Sequence, residues 1–118
     1  MKLEIESETI EEYVYDLSTG TGEGVLETEE LNGYIESIAF ETEQEVELLV
    51  ETEGMMGEPI LNLRTANRYF TPRISPTDSE GNRFNYGAQK IAVKGKLLIG
   101  IKGSAGKQAK LRLLITNN

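Results

Sequence analysis

Cysteine, histidine and tryptophan are all absent from these 118 residues. Without cysteine there is neither a disulfide nor a thiolate zinc site. Without histidine the usual general base and the commonest metal ligand are gone, and Ser-His-Asp and Cys-His arrangements are excluded. Lack of tryptophan weakens any stacking platform for sugars. Proline is scarce, at 59, 72 and 76 only. No apolar run approaches the roughly 20 residues that span a membrane, so no membrane partner is expected. The opening Met1–Glu6 alternates apolar residues with acids, unlike a signal peptide.

Each half of the chain also lacks one sign of charge. Residues 1–58 hold 18 of the 20 acids and a single base, Lys2. Residues 59–118 hold 11 bases and two acids, Asp78 and Glu80. The first half therefore carries a net −17 and the second +9, together the −8 of the whole chain. Overall acidity argues against direct nucleic-acid binding. Unlike charges separated in sequence tend to meet in space, either within one fold or between copies. Their meeting between copies is the favoured expectation. The length fits one domain, 1–118, able to bury a single core without staples.

What the chain has is a period of two. From Thr42 to Thr52 the even positions include Val46, Leu48 and Val50, and the odd ones Glu41, Glu43, Glu45, Glu47 and Glu51. Alternation of this kind sets one face toward a core and the other toward solvent or a partner. The last third repeats it with bases. Ile91, Val93, Leu97, Ile99 and Ile101 share one face, and Lys90, Lys94, Lys96 and Lys102 the other. Gly103–Lys107 is turn-like, so 96–102 and 109–116 read as a hairpin. Asn32-Gly33 reads as a two-residue hairpin turn between Val25–Leu31 and Tyr34–Phe40. Ile60–Arg64 and Arg68–Arg73 read as further strands, and Ile10–Leu17 leans to strand through its tyrosines and β-branched residues. Gly20–Gly24 separates the first residues from the main body. The fold class is all-β, an antiparallel β-sandwich or jelly-roll-like fold, with 1–24 as an extended arm or peripheral strands.

No motif names a reaction, so no catalytic, cofactor-binding or metal residues are assigned. The Glu41–Glu47 ladder suits a solvated face or cross-strand partners such as Lys94, Lys96, Lys110 or Arg112. A calcium site there lacks loop ligands. Asp78–Asn82 has its glycine at the wrong offset for a calcium loop and reads as a turn. Gly20–Gly24 lacks the Lys-Ser/Thr of a P-loop. Asp78 and Glu80 have no visible cleft that would make them a glycosidase pair. Arg64, Arg68, Tyr69, Pro72 and Arg73 combine arginine with aromatics, the usual composition of interface hot spots. An N-terminal arm containing Leu3, Ile5 and Ile10 could add a strand to a neighbour.

Several segments taken in order resemble a diffuse group of small all-β virion structural proteins of tailed bacteriophages. They are Gly33–Phe40, Glu45–Val50, Pro59–Leu63, Tyr69-Phe70-Thr71-Pro72-Arg73, Thr77–Gly81, Val93–Ile101 and Leu111–Ile115. The resemblance covers roughly residues 33–116, and the aromatic-x-Pro-Arg strand and the late Gly-Lys-Leu-x-Ile strand are its most specific pieces. It implies a non-enzymatic decoration or cement protein on the outer head surface, made in the host bacterial cytoplasm. The implied partners are the major capsid protein and copies of the chain itself, three being the preferred number. A head fibre, a tail part or a module binding cell-surface carbohydrate is the alternative.

Overall fold

Residues 10–52, 59–74 and 89–117 are described in the computed structural model of the chain. They form ten strands: β1 (Ile10–Ser18), β2 (Glu23–Glu27), β3 (Leu31–Thr42), β4 (Val46–Thr52), β5 (Leu61–Thr65), β6 (Arg68–Phe70), β7 (Arg73–Ile74), β8 (Gln89–Gly95), β9 (Leu97–Lys102) and β10 (Gln108–Thr116). Two antiparallel sheets pack face to face as a β-sandwich. Sheet one runs β1-β10-β3-β8-β7, with β6 also paired to β3; sheet two runs β2-β9-β4-β5. Among the described residues there is no helix, and hence none long and apolar enough to cross a membrane.

The period of two builds the core directly. Ile91, Val93, Leu97, Ile99, Ile101, Leu111, Leu113 and Ile115 are all buried, and so are Val46, Leu48 and Val50. They meet Leu31, Ile35, Ile38 and Phe40 of β3 between the sheets. Burying side chains of this size contributes about 1.5–3 kcal/mol each before the entropy of ordering them is subtracted.

One long antiparallel ribbon organises both sheets. Residue 10 lies opposite 116, and the pairing runs through β1/β10, then β2/β9 one residue out of step (23 opposite 102), then β3/β8 back in step, where residue 35 lies opposite 91. The ribbon starts in sheet one, crosses to sheet two and returns. Two fully buried threonines hold its bends. At the first, Thr19 N–H donates to Lys107 O (2.9 Å) while Lys107 N–H donates to Thr19 Oγ1 (2.8 Å). At the second, Thr28 N–H donates to Leu97 O (2.9 Å) and Leu97 N–H donates to Thr28 Oγ1 (2.8 Å). In each pair a hydroxyl takes the place of the threonine's own carbonyl in the ladder. The backbone can then turn without leaving the partner's N–H unpaired.

Three sequence expectations change here, and a fourth is narrowed. Gly103–Lys107 does not close a hairpin, because β9 and β10 lie in different sheets. That loop instead meets the loop 19–22: Gly103 N–H donates to Gly22 O and Gly106 N–H to Gly20 O. Asn32-Gly33 is not a turn but part of β3, with Gly33 at φ 149°. A Cβ on Gly33 would lie 2.3 Å from Thr116 O, so glycine is required there by close backbone approach. The acidic stretch 41–53 is two strands, since β3 ends at Thr42 and β4 begins at Val46 in the other sheet. Finally, of the two readings offered for 1–24, the described residues 10–24 follow the peripheral strands and not the extended arm; β1 pairs with β10 along its whole length.

The long strand β3 contains a bulge. Leu114 lies opposite Ser37 and Ile115 opposite Ile35, leaving Glu36 unpaired. The bulge switches the inward parity from Ile38 and Phe40 to Leu31 and Ile35.

Candidate interaction surface

The strand order disposes of the charge split. In sheet one the acidic-half strands β1 and β3 alternate with basic-half strands β10 and β8, and in sheet two β2 and β4 alternate with β9 and β5. Outward side chains form rows of alternating sign. Glu23, Lys102, Glu47 and Arg64 stand in register across sheet two. Asp16, Lys110 and Glu41 do so across sheet one. Every ion pair among the described residues joins the two halves: Glu45–Arg64, Glu36–Lys90 (2.6 Å), Glu36–Arg73 (3.8 Å), Glu27–Lys96 (3.3 Å) and Glu12–Arg112 (3.5 Å). Opposed charges across strands contribute about 0.2–1 kcal/mol per pair. The favoured expectation, that these charges meet between copies, is thus corrected for the sheet interiors: they meet within the fold.

Apolar side chains left outside the core gather on one face. Ile10 (55% exposed), Val14 (44%), Tyr34 (38%) and Tyr69 (62%) all project from the outer face of sheet one. Val14, Arg112, Ala39 and Tyr69 form one row across four strands. Ile10, Thr116, Tyr34 and Ala92 form another. Half-buried Leu114 lies between them on β10, so the exposed Arg112 guanidinium, which Glu12 pairs from the side, has apolar surface toward Leu114 and the charged row of Asp16, Lys110 and Glu41 on its other side. Tyrosine and arginine set in apolar surroundings are the residue types that dominate binding energy at protein interfaces. Sheet two exposes one large apolar side chain, Val25, beside Gly100 and Leu49.

The residues singled out from sequence separate in space. Tyr69 stands on the apolar face. Arg68 is exposed beside it, with its guanidinium carbon 5.2 Å from the Phe70 ring centroid. Arg64 lies on the outer face of sheet two, paired to Glu45. Arg73 is turned to the bulge instead. Its Nη1 donates to Glu36 O (3.2 Å) and Pro72 O (2.8 Å), and its side chain is only 27% exposed. Lys90 and Arg73 face Glu36 together, and Lys90, as hydrogen-bond donor, holds the Glu36 carboxyl below its ordinary range. Leu3, Ile5 and the Asp78–Asn82 turn lie outside the described residues. Val14 and Tyr34 escape the sequence reading, which places Ile10 only in a strand-adding arm and Arg112 only among partners of the Glu41–Glu47 ladder. A signal for the face was present in β1, where Ile10 and Val14 interrupt the acidic face of a strand whose other face is Tyr13, Tyr15 and Leu17.

Two tyrosines of β1 donate to carboxylates, one of them beside the second bend at Thr28. Tyr15 Oη donates to Glu29 Oε1 (2.6 Å), and Tyr13 Oη donates to the Glu11 carboxylate. The bond to Glu11, then burial, pushes the Tyr13 phenol up to about 12. Burial, then the bond to Glu29, raises Tyr15 as well. Near the 43–45 turn a depression of about 630 Å³ is lined by Asp16, Glu41, Asn67, Gln108 and Lys110. Lys110 stands between its two carboxylates in register. Among the described residues no group of three or more acids is placed to hold a metal ion.

The fold and this face define a β-sandwich whose sheets alternate strands of opposite charge and whose sheet-one outer face is partly apolar. No family model, no curated protein and no solved structure matches the chain.

Proposed function

We propose that the protein is a non-enzymatic virion structural subunit of a tailed bacteriophage, a decoration or cement protein of the outer head surface. Its partners are the major capsid protein and further copies of itself, and its place is the capsid surface of the particle. The observation that carries this reading is the outer face of sheet one, which exposes four large apolar side chains, Ile10, Val14, Tyr34 and Tyr69, with Arg112 in the row of Val14 and Tyr69. Such a face acts by adhesion. Burying it supplies affinity, while Arg112 and Glu12 fix register and partner.

Two further points support it. The order β1-β10-β3-β8 facing β2-β9-β4-β5, wound by one twice-bent ribbon, is the jelly-roll-like arrangement common in virion proteins. The phage-like motifs Tyr69–Arg73 and Val93–Ile101 map to β6–β7 and β8–β9, which bound the apolar face and the second bend.

Quantitative mass spectrometry of purified, DNA-filled particles tests the proposal. A decoration protein is present in numbers that match the capsid lattice. A few copies per particle would place it on the tail or a fibre instead, and absence from particles would overturn the virion role.

A further inference from the structure

Alternating strand order neutralises charge inside a sheet but not at its ends, because an outermost strand has one neighbour only. The sandwich has two lateral margins. At one lie β1 and β2, first in their sheets and joined through the Thr19–Gly22 bend. Residues 10–27 there carry Glu11, Glu12, Asp16, Glu23 and Glu27 and no base. At the other lie β5 in sheet two and β8, β7 and β6 in sheet one. The described residues 59–74 and 89–95 carry Arg64, Arg68, Arg73, Lys90 and Lys94 and no acid. Counted over the described residues of these strands alone, one margin carries five negative charges and the other five positive. Ion pairs with other strands and turns engage Glu12 and Glu27 at the first and Arg64, Arg73 and Lys90 at the second. That leaves Glu11, Asp16 and Glu23 at one margin and Arg68 and Lys94 at the other outside any ion pair among the described residues. The middle strands β3, β4, β9 and β10 hold both signs, with Glu36, Glu41, Glu47 and Glu51 against Lys102, Lys110 and Arg112.

We propose that these margins join copies of the chain head to tail, the β1/β2 margin of one subunit against the β5–β8 margin of the next. Three features argue for a second copy as the occupant. The two margins complement each other in sign. β1 offers nine residues of sheet edge and contains none of the lysines or prolines that usually blunt such edges. Its acids also oppose the alternative symmetric pairing, since β1 against β1 sets acid against acid, and like charges directly opposite one another are destabilising. A contact between two different margins is heterologous. It closes into a ring when the rotation per subunit divides a full turn and otherwise continues as a filament. This extends the self-association in the reading above and stands whether or not the protein belongs to a virion, because it is tested on the isolated chain.

The test uses two charge-reversed variants of the full chain. Glu11→Lys with Glu23→Lys takes the acidic margin from −5 to −1, and Arg64→Glu with Arg68→Glu takes the basic margin from +5 to +1, so each variant loses most of one margin's charge; all four side chains are exposed. Sedimentation and light scattering should give an oligomer for the wild type at low salt. Each variant alone should associate more weakly by about tenfold or more, and an equimolar mixture of the two should associate again. Recovery on mixing also certifies that both variants are folded. A monomeric wild type, a variant that still self-associates like the wild type, or two variants folded by circular dichroism whose mixture stays monomeric would each overturn the proposal. If either variant fails to fold, the wild type decides alone. Its mass should fall on going to 1 M salt, where the screening length is about 3 Å. An unchanged mass there refutes a charge-driven contact. A wild-type chain that is monomeric alone but assembles when the capsid shell is added assigns the margins to the capsid and refutes pairing between copies.

Discussion

Replacing Thr19 by valine removes one oxygen and leaves the shape of the side chain nearly unchanged. In the wild type that oxygen accepts from Lys107 N–H at 2.8 Å and donates to Ser104 O at 2.7 Å. The Thr19 side chain is fully buried, while Ser104 is exposed and Lys107 half-buried, so the two orphaned groups are partly shielded from water. An unsatisfied buried donor costs about 1–3 kcal/mol. Valine gains a little apolar burial from its extra methyl, about 0.8 kcal/mol at most. The net expectation for Thr19→Val is therefore a loss of about 1–2 kcal/mol, or about 4–8 °C in Tm for a domain of this size. Thr19→Ser keeps the oxygen and gives up one methyl, so it should cost about 1 kcal/mol or less. Urea denaturation resolves these values if the midpoint moves while the slope stays fixed. Equal losses for valine and serine would refute the idea that the hydroxyl holds the bend. So would a valine variant within about 0.5 kcal/mol of wild type, the scatter expected of a neutral surface change.

Gly33→Ala should destabilise far more than Gly95→Ala. Both glycines have positive φ, but a Cβ at 33 meets Thr116 O at 2.3 Å and Ile115 Cγ2 at 2.7 Å, whereas nothing lies within 4 Å at 95. Melting curves of the two variants should show about 1–3 kcal/mol of backbone strain at 95 and a larger loss, or no folding, at 33. The Glu36 carboxyl is depressed, so its contribution to stability is present above the unfolded carboxylate range and is lost as pH falls through the folded value. Lys90→Met should therefore flatten the acid limb of stability against pH, and an unaltered limb would show that Lys90 does not hold Glu36. Tyr13 and Tyr15 are raised, so their contribution is complete below the ordinary phenol range near 10 and is lost as pH rises toward about 12 and beyond. Ultraviolet titration should show two of the five tyrosines ionising late. In Glu29→Gln the Tyr15 phenol should move back toward its ordinary value.

Face assignment was legible in the sequence; the path of the chain was not. From Ile91 to Ile115 every second residue keeps one parity through β8, β9 and β10, and those residues are the core. Periodicity records which way a side chain points but not which sheet it points from. Parity survives the bends at Gly95-Lys96 and Gly103–Lys107, so three strands in two sheets looked like a continuous strand and a hairpin. The Asn32-Gly33 signal misled for a related reason. A positive-φ glycine serves a hairpin turn and a tight interior approach equally well, and only Thr116 O beside Gly33 distinguishes them. The bulge at Glu36 did leave a trace, because Ile35 and Ile38 are both fully buried three residues apart, which an unbroken strand cannot arrange. Of the apolar face, only Tyr69 was found. Its other members come from β1, β3 and β10, and no local pattern links residues 10, 14, 34 and 112.

The segregation of charge into halves follows from the winding of the ribbon. A chain folded back on itself once and then coiled sets each strand of its first part beside a strand of its last part, as β1 beside β10, β2 beside β9 and β3 beside β8. If acids fill the first part and bases the last, every such pairing is favourable, while pairing the acidic strands with one another is not. Pairings out of register by a whole strand, such as β1 with β2 or β3 with β4, would set acid against acid and are disfavoured by the same amount that the native ones gain. Sorting charge by half thus selects against the local hairpins that short turns would otherwise close first, including the one that Asn32-Gly33 suggests. The same rule fixes what is left over. A two-sheet fold built from alternating strands ends in acid on one side and base on the other, and a surface of that kind is complementary to its own copy only when the copies are related head to tail.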